Sequence, residues 1–258
     1  QVSYKTILVE RTGCCIAVVT LARVSFDNEI NQQMAIELCD FCEQVDHDDD
    51  IRSVVITGMG NVFCGGTDAV SFQGPRNLPK LFYSLKVSHS VASIEKPVVA
   101  ALNGDAIDQG LELALACDIR IASNRARFGL TQVNDGLIPW DGGTQRLPRL
   151  VGRSKALDMI LTARLIDSAE ALEIGLVNET VEMEQVLQRG NEIAAVIARN
   201  GPIATRYIKE AVLDGQDMAI RQGLRLEADL NILLQSTADR AEGIHSFLEK
   251  RTPKYRGE

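Results

Sequence analysis

The sequence predicts an α/β fold that ends in a helical C-terminal part. Over about the first 125 of its 258 residues, short runs rich in β-branched side chains alternate with helical stretches. Glycine-containing loops such as "GMGNVFCGGTDA" separate the runs. From about residue 150 onward, nearly every stretch has a helical period and helix caps. This order is typical of a layered core with largely parallel strands, followed by helices.

The elements of the first half follow from their local patterns. Two β-rich runs flank Thr12 and Gly13, a turn signal that predicts a hairpin. Short continuous apolar runs predict buried strands, and apolar residues at helical spacing predict amphipathic helices. In chain order, the predicted elements are the strands "KTILVER" and "CIAVVTLAR", a helix over 31–48, the strand "IRSVVITG", a helix over 77–94, the strand "KPVVAALNG", a helix over 108–117 and the strand "IRIAS".

The second half is predicted to be helical. The stretches with helical periodicity are "SKALDMILTA", "SAEALEIG", "MEQVLQRGNEIAAVIARN", "PIATRYIKEAVLD" and "MAIRQGLRLEADLNILLQS". So many helices in a chain of this size suggest that some of them pack onto a neighbouring subunit. We therefore expect an oligomer.

Composition excludes several classes of function. The formal net charge of -8 argues against a general nucleic-acid or membrane-surface binder, which needs a basic face. No apolar run is long enough for a membrane span, and no signal pattern begins the chain. Six irregularly spaced cysteines indicate reduced thiols, so a cytoplasmic protein is expected. The three histidines lack ligand spacing, and no metal site is predicted.

The helix "IDQGLELALACD" carries two carboxylates at its start, although its other residues are those of a core helix. Asp108 is expected to be the N-cap, with a site role as the alternative. Glu112 lies between two leucines and should be buried. Burial without a charged partner would raise its pKa toward the range that suits general acid–base catalysis. Glu112 is therefore the stronger functional candidate of the two.

Two loops hold further polar candidates. "FCGGTD", over 63–68, is either a tight turn or a nest of backbone N–H groups for an anion. "FGLTQVNDGLIPWDGGTQRLPRLVG", over 128–152, contains Gln132 and Asp141. Asp141 is either the N-cap of the helix that follows or a site residue.

These segments together resemble the crotonase (enoyl-CoA hydratase/isomerase) superfamily. The resemblance is carried by "VFCGGTD", "KPVVAALNGDAIDQGLELALACDIRIAS", the 128–152 block, "AEALEIGLVNE" and "GIHSFLEKRTPKY", in the family's order. It implies a spiral of ββα repeats with a helical C-terminal trimerisation region, in homotrimers or dimers of trimers. We accordingly divide the chain into a core over 1–195 and a helical oligomerisation region over 196–258.

The resemblance also implies a ligand and an oxyanion hole. The family binds acyl-CoA thioesters, with coenzyme A as part of the substrate and no further cofactor. Two backbone N–H groups stabilise an enolate-like oxyanion, and by position these belong to Thr67 and Gln109. The carbonyl of Gly65 would meet the adenine amino group, and Asp68 is placed with the substrate-binding residues.

A cation for the CoA phosphates is also expected by resemblance. The family often takes it from the C-terminal segment, sometimes from that of a neighbouring subunit. Lys250 is the first candidate here, followed by Arg251 and Lys254.

Departures from the family pattern concern the proton-transfer residues. Hydratases of this family use two glutamates, which fall on Glu112 and Gln132 here. An amide cannot exchange a proton near neutral pH, but it can orient a water molecule. Asp141 is the candidate for the missing acid–base group, and Trp140 would add an aromatic wall. The family usually has glycine at Gln109, so its side chain should intrude on the pocket or line it.

The leading hypothesis is a lyase that adds water to, or removes it from, an unsaturated acyl-CoA, with a conjugated or alicyclic dienoyl-CoA as the candidate substrate. A C–C bond hydrolase of a cyclic β-diketone would match Asp141 but uses His at the positions of Gln109 and Gln132. A double-bond isomerase needs only one carboxylate. A non-enzymatic binding subunit is the fourth alternative.

Overall fold

The computed structural model describes residues 4–13, 15–68 and 83–258 of the chain. Its strands are β1 (Ile7–Thr12), β2 (Ile16–Leu21), β3 (Ser53–Gly58), β4 (Val62–Cys64), β5 (Val98–Leu102), β6 (Asp105–Ile107), β7 (Ile119–Ser123), β8 (Arg127–Gly129), β9 (Ile166–Asp167) and β10 (Glu179–Val181). Its longer helices are α1 (Gln32–Asp46), α2 (Ser88–Ala92), α3 (Gln109–Leu115), α4 (Gly143–Val151), α5 (Arg153–Thr162), α6 (Ser168–Glu173), α7 (Val186–Ala198), α8 (Pro202–Gln216), α9 (Ile220–Leu234) and α10 (Ala238–Leu248).

The main sheet has the strand order β1-β2-β3-β5-β7-β10. β1 and β2 form the predicted antiparallel hairpin, in which Thr12 pairs with Ile16. From β2 onward all neighbouring strands are parallel. β3 and β5 are buried along their whole length, as expected for parallel strands covered on both faces. One face packs against α1 and α3 within the larger apolar cluster, and the other is covered by α7.

A second sheet of short strands, in the order β4-β6-β8-β9, brings successive repeats of the chain together. Each repeat contributes one strand to the main sheet and the next strand to this sheet, as in β3-β4, β5-β6 and β7-β8. β4, β6 and β8 pair in parallel, so the segments that follow them leave the sheet at one edge. α3 begins directly after β6 at this edge.

The close approach of α3 to β4 depends on Gly110. A Cβ built at this position would lie 2.8 Å from the Cβ of Cys64 and still closer to the Cys64 carbonyl oxygen. No L side chain fits at that distance, so only glycine lets the first turn of α3 rest on the end of β4.

The C-terminal helices are less buried than the core. α7 packs on the main sheet through Val186 and Ala194, so the boundary predicted at residue 195 falls within this helix. α8 has no fully buried residue and packs mainly against α9. Within the described residues, no helix combines the length and apolar composition that a membrane span needs.

Part of the predicted helix over 77–94 lies outside the described residues, which resume at residue 83. In the described part, residues 83–85 are helical, and α2 follows from Ser88.

We expect Gly110→Ala to destabilise the chain by at least about 2 kcal/mol, because the added methyl group overpacks the contact with Cys64. Urea unfolding measures the change. Gly215→Ala in α8 is the matched control, since a Cβ there meets no atom within 4 Å. That variant should gain about 0.5–1 kcal/mol from helix propensity. Equal stability of the two variants would contradict the proposed constraint.

Candidate active site

Three segments of the chain converge at the start of α3. The N–H of Asp108 donates to the carbonyl of Gly129 at 2.9 Å, which joins the end of β6 to the end of β8. The loop after β4 reaches the same place, since the Thr67 hydroxyl lies 2.6 Å from Oε1 of Gln109. Thr67 and Gly129, about 60 positions apart in sequence, therefore lie at one site. This agrees with a fold in which successive repeats place equivalent loops side by side.

Glu112 is fully buried on the first turn of α3. Its Oε1 accepts hydrogen bonds from the N–H groups of Asp141 and Gly143, at 2.8 and 2.7 Å. Its Oε2 has no hydrogen-bond partner among the described residues. Burial raises the pKa of Glu112 to about 7, and the two backbone bonds only partly offset it. The carboxyl group is therefore suited to exchange protons near neutral pH.

Gly143 is needed for this arrangement. A Cβ at Gly143 would lie within 3.0 Å of Glu112 Oε1, Leu130 Cδ1 and Pro139 Cβ. Because that space is closed, only a residue without a side chain can bring its N–H onto the carboxylate.

Gln132 lies in a single 3-10 turn, Gln132–Asp135, that follows β8. Its side chain is buried, and neither Nε2 nor Oε1 has a partner among the described residues. The preceding residue, Thr131, bonds to Asp108, one turn before Glu112. A buried amide normally makes hydrogen bonds, so three unsatisfied polar atoms in one region indicate a place for a ligand or a water molecule.

Asp108 is the N-cap residue of α3, as predicted, but its side chain makes no capping hydrogen bond. It occupies the N-cap position with φ 50°, which is strained for a residue with a Cβ. Its carboxylate accepts hydrogen bonds from the N–H and hydroxyl of Thr131 instead. Burial raises the pKa of Asp108 above its ordinary range, although the Thr131 bonds oppose this shift. Asp108 thus fastens the segment after β8 to the start of α3.

Asp141 does not cap α4 either, because Gly142 occupies that N-cap position. The Asp141 side chain is 4% exposed, and its Oδ2 lies 3.1 Å from Nε2 of Gln109. The same oxygen accepts hydrogen bonds from the N–H groups of Val87 and Ser88. Gln109 is fully buried, so its side chain is held inside the protein by these groups.

The bridge between Thr67 and Ile30 determines the direction of the Thr67 N–H. Thr67 forms a parallel bridge with Ile30, whose bonds use the carbonyl of Gly66 and the N–H of Asp68. In a parallel pair the N–H groups of successive residues point to opposite sides. The Thr67 N–H is therefore directed away from Ile30.

Of the other predicted substrate residues, Gly65 and Asp68 lie in the same loop as Thr67. Asp68 forms an ion pair with Arg23 at 2.7 Å, and both side chains are about 10% exposed. Gly65 donates its N–H to the carbonyl of Asp27. Trp140 is half-buried between the buried residues Pro139 and Asp141.

Lys250, the predicted cation for the CoA phosphates, lies just after α10. It is exposed, and its N–H donates to the carbonyl of Phe247. Arg251 is paired with Glu242 and Glu249 in the same segment.

The profile of a protein family described as "Enoyl-CoA hydratase/isomerase" matches residues 11–258. The chain belongs to this family. It is 37% identical to the crotonyl-CoA hydratase of Syntrophomonas wolfei over 257 residues, with 98% of each chain covered. It is 37% identical to the (E)-benzylidenesuccinyl-CoA hydratase of Thauera aromatica over 245 residues, with 94% of this chain and 96% of the other covered.

Solved structures show the same fold. An enoyl-CoA hydratase from Bacillus anthracis superposes with a TM-score of 0.95 at 37% identity, covering 98% of this chain and all of the other. The predicted superfamily and the predicted fold class are confirmed.

The sequence patterns did not predict several residues that form hydrogen bonds or ion pairs at this site. Leu85, Val87 and Ser88 receive or supply hydrogen bonds to the site, but they lie in a stretch predicted only as helix. All three act through backbone groups, and Leu85 and Val87 act through these alone, which leaves no sequence signal. Arg23 is a cation beside a strand end, and only the fold pairs it with Asp68.

We expect Glu112→Gln to stabilise the protein increasingly as pH rises. The pKa of Glu112 is raised from 4.5 to about 7 in the folded state, so the folded protein loses stability as pH rises through this interval and keeps it below about pH 4.5. The uncharged amide escapes this cost, which is at most about 3 kcal/mol. Urea unfolding near pH 5 and pH 8.5 measures the difference.

Glu37→Gln is the matched control for that experiment. Burial raises the pKa of Glu37, but hydrogen bonds from Thr6, Lys5 and Gln33 outweigh burial and lower it. The Glu37 carboxylate therefore stabilises the fold above the unfolded-state pKa, and its variant should lose stability at high pH. A pH-independent difference for Glu112→Gln would contradict the assigned burial of its charge.

Proposed function

We propose that the protein is a hydro-lyase that adds water to the double bond of an α,β-unsaturated acyl-CoA, or removes it in reverse. The observation that carries this proposal is the group of buried, unsatisfied polar atoms on Glu112 and Gln132. A water molecule can donate to the free Oε2 of Glu112 and exchange hydrogen bonds with the amide of Gln132. Family membership and hydratase relatives support the same reaction.

The oxyanion hole in this proposal consists of the backbone N–H groups of Thr67 and Gln109. Gln109 is the first residue of α3, so its N–H has no acceptor within the helix. The bridge with Ile30 leaves the N–H of Thr67 directed elsewhere. Two such donors on the thioester oxygen stabilise the negative charge that develops as water attacks.

Glu112 performs both proton transfers. Its carboxylate removes a proton from water, and the water oxygen bonds to C3 of the substrate while the π electrons move to give a thioester enolate. The protonated Glu112 then returns a proton to C2, and the enolate collapses to the 3-hydroxyacyl-CoA. Gln132 orients the water and exchanges no proton. Asp141 is predicted as a second acid–base group. Its buried hydrogen bonds with Val87 and Gln109 instead favour a role in positioning the side chain of Gln109.

The acyl group of the proposed substrate is conjugated or alicyclic. Relatives named for a linear and for an aryl-substituted substrate are equally similar to this chain, at 37% identity, so overall similarity does not select between them. The support comes from Trp140, whose half-buried ring is adjacent in sequence to a residue that bonds Glu112. A flat ring or diene packs well on an aromatic side chain.

A double-bond isomerase is the second candidate. The site holds one carboxyl group whose pKa is raised to about 7, and one such group is enough to move a proton between two carbons. The two reactions differ in whether water is incorporated.

A homotrimer, or a dimer of trimers, is the proposed assembly. Large apolar side chains are exposed on each of the last three helices: Ile208 and Val212 on α8, Ile220 and Ile232 on α9, and Phe247 on α10. Large apolar side chains that remain exposed on several helices support a protein interface there. A neighbouring copy seated there could supply Lys250 to the CoA phosphates.

We expect the purified protein to add water to acyl-CoA substrates, and Glu112→Gln to slow this at least about 100-fold. Mass spectrometry with ¹⁸O-labelled water, over a panel from crotonyl-CoA to cyclic dienoyl-CoA, measures the gain. Because the base must be ionised, kcat/KM should fall as pH drops below about 7. Glu37→Gln changes another buried glutamate, outside the site, and should retain the rate.

Isomerisation without ¹⁸O uptake would favour the isomerase instead. If crotonyl-CoA is hydrated faster than the cyclic and dienoyl substrates, the proposed acyl group is refuted while the proposed hydratase activity stands.

We expect the wild-type chain to sediment as a trimer or hexamer, and Ile220→Asp together with Phe247→Asp to shift it toward smaller species. The added charges would be buried without partners in the interface. Analytical ultracentrifugation measures the assembly. Asp substitution of exposed Leu161 on α5, outside the C-terminal helices, is the control. A monomeric wild type would contradict the proposed assembly.

A further inference from the structure

The side chains of the two proposed oxyanion-hole residues, Thr67 and Gln109, bond to each other, and that of Gln109 also bonds to the buried carboxylate of Asp141. The Thr67 hydroxyl lies 2.6 Å from Gln109 Oε1. Gln109 Nε2 lies 2.6 Å from the carbonyl of Leu85 and 3.1 Å from Asp141 Oδ2. The residues on both sides of the hole are thus linked through their side chains as well as through the backbone.

The direction of every hydrogen bond in this chain of contacts is determined. The Leu85 carbonyl and the Asp141 carboxylate only accept, so the NH₂ group of Gln109 must face them. Gln109 Oε1 then faces Thr67, whose hydroxyl must donate its proton. Both donors of the amide are occupied, so the Gln109 side chain has one orientation.

Asp141 lies at the end of this chain of contacts that is farthest from Thr67. Its Oδ2 accepts from the N–H of Val87 at 3.0 Å and from the N–H and hydroxyl of Ser88 at 3.1 and 3.0 Å, in addition to Gln109. Ser88 and Gln109 are fully buried. With little solvent to compete for these bonds, the amide of Gln109 is held more firmly than an exposed one.

The backbone of Asp141 contacts the other half of the site. Its N–H donates to Glu112 Oε1 at 2.8 Å while its side chain holds Gln109. One residue therefore fixes the proton-transferring carboxyl group and the side chain at the oxyanion hole relative to each other.

We propose that Asp141 and Gln109 are positioning residues that act through the Thr67 hydroxyl to hold the two oxyanion-hole N–H groups at a fixed separation. We call Thr67, Gln109 and Asp141 the clamp. Backbone hydrogen bonds to Asp27 and Ile30 already hold the loop around Thr67, and the clamp adds a restraint through the Thr67 side chain. This inference rests on the proposed function, because it assigns the clamp to the same oxyanion hole.

Thr67→Val removes the donor hydroxyl but keeps the shape of the side chain. Loss of an oxyanion-hole donor lowers kcat about 100- to 1000-fold, and a donor that is only less well placed should cost less, about 10-fold. KM should change little because the other CoA contacts remain. Thr67→Ser restores the hydroxyl and should recover most of the loss.

Thr205→Val on α8 is the matched control. The Thr205 hydroxyl is a hydrogen-bond donor like that of Thr67, but its acceptor is the backbone carbonyl of Pro202, at 3.0 Å. Thr205 lies outside the clamp. Its rate should equal that of the wild type.

A readout independent of turnover separates the clamp from the reaction. 4-Dimethylaminocinnamoyl-CoA is a chromophoric enoyl-CoA whose absorption moves to longer wavelength when its carbonyl is polarised. In a Glu112→Gln background, which blocks proton transfer, binding should give a red shift, and adding Thr67→Val should reduce that shift.

Asp141→Asn should act on both halves of the site. An uncharged amide oxygen in the position of Oδ2 accepts the four hydrogen bonds more weakly than the carboxylate, so kcat should fall. The charge of Asp141 is also among the causes that raise the pKa of Glu112, so the acid limb of the pH profile should move to lower pH. Thr67→Val should leave that limb in place.

Combining Thr67→Val with Asp141→Asn completes the test. If both act through Gln109, the double variant should be no slower than the slower single variant, since the shared contact can be lost only once. Multiplicative losses, or an unchanged red shift in Thr67→Val, would overturn the clamp while the hydratase function stands. A wild-type protein with neither turnover nor red shift would refute the proposed function and the clamp with it.

Discussion

The site depends on one buried carboxyl group that is held by only one of its oxygens. Two backbone N–H groups bind Oε1 of Glu112, while Oε2 has no partner among the described residues. The bound oxygen fixes the position of the side chain, and the other remains available to a ligand. Burial raises the pKa of the group to about 7. Below that pH the carboxyl group is largely uncharged, so an oxygen without a hydrogen-bond partner costs the fold less than a buried charge would. Such a deviation from complete hydrogen bonding is expected where a protein acts on a ligand.

The packing of the fold produces this arrangement from small residues. Gly143 carries its N–H onto Glu112 because no side chain intervenes, and Gly110 lets α3 rest on β4 for the same reason. The parallel pairing of β4, β6 and β8 then delivers three loops to one edge of the second sheet. The catalytic geometry is thus a consequence of how closely the repeats pack.

Much of this could be predicted from the sequence, and the remainder has a physical reason. Hydrophobic periodicity identified the hairpin, the buried strands and α3, and a glutamate between two leucines identified Glu112. The roles of Asp108 and Asp141 could not be obtained in this way. Both carboxylates precede a helix, so local rules favoured capping, yet Asp108 bonds to Thr131 and Asp141 to Val87 and Ser88. Their partners are more than 20 residues away in sequence, and only tertiary structure brings them close.

Gln109 shows how a departure from a family pattern can be accommodated. Its side chain was expected to intrude on the pocket or line it, but it is fully buried and uses its NH₂ group on Leu85 and Asp141. A long amide in a buried position is tolerated only where its donors and acceptor are matched. Asp141 supplies the acceptor that Gln109 needs, so the two departures compensate each other. The amide at Gln132 has no such partner among the described residues, so its donors and acceptor, unlike those of Gln109, are not matched within the structure.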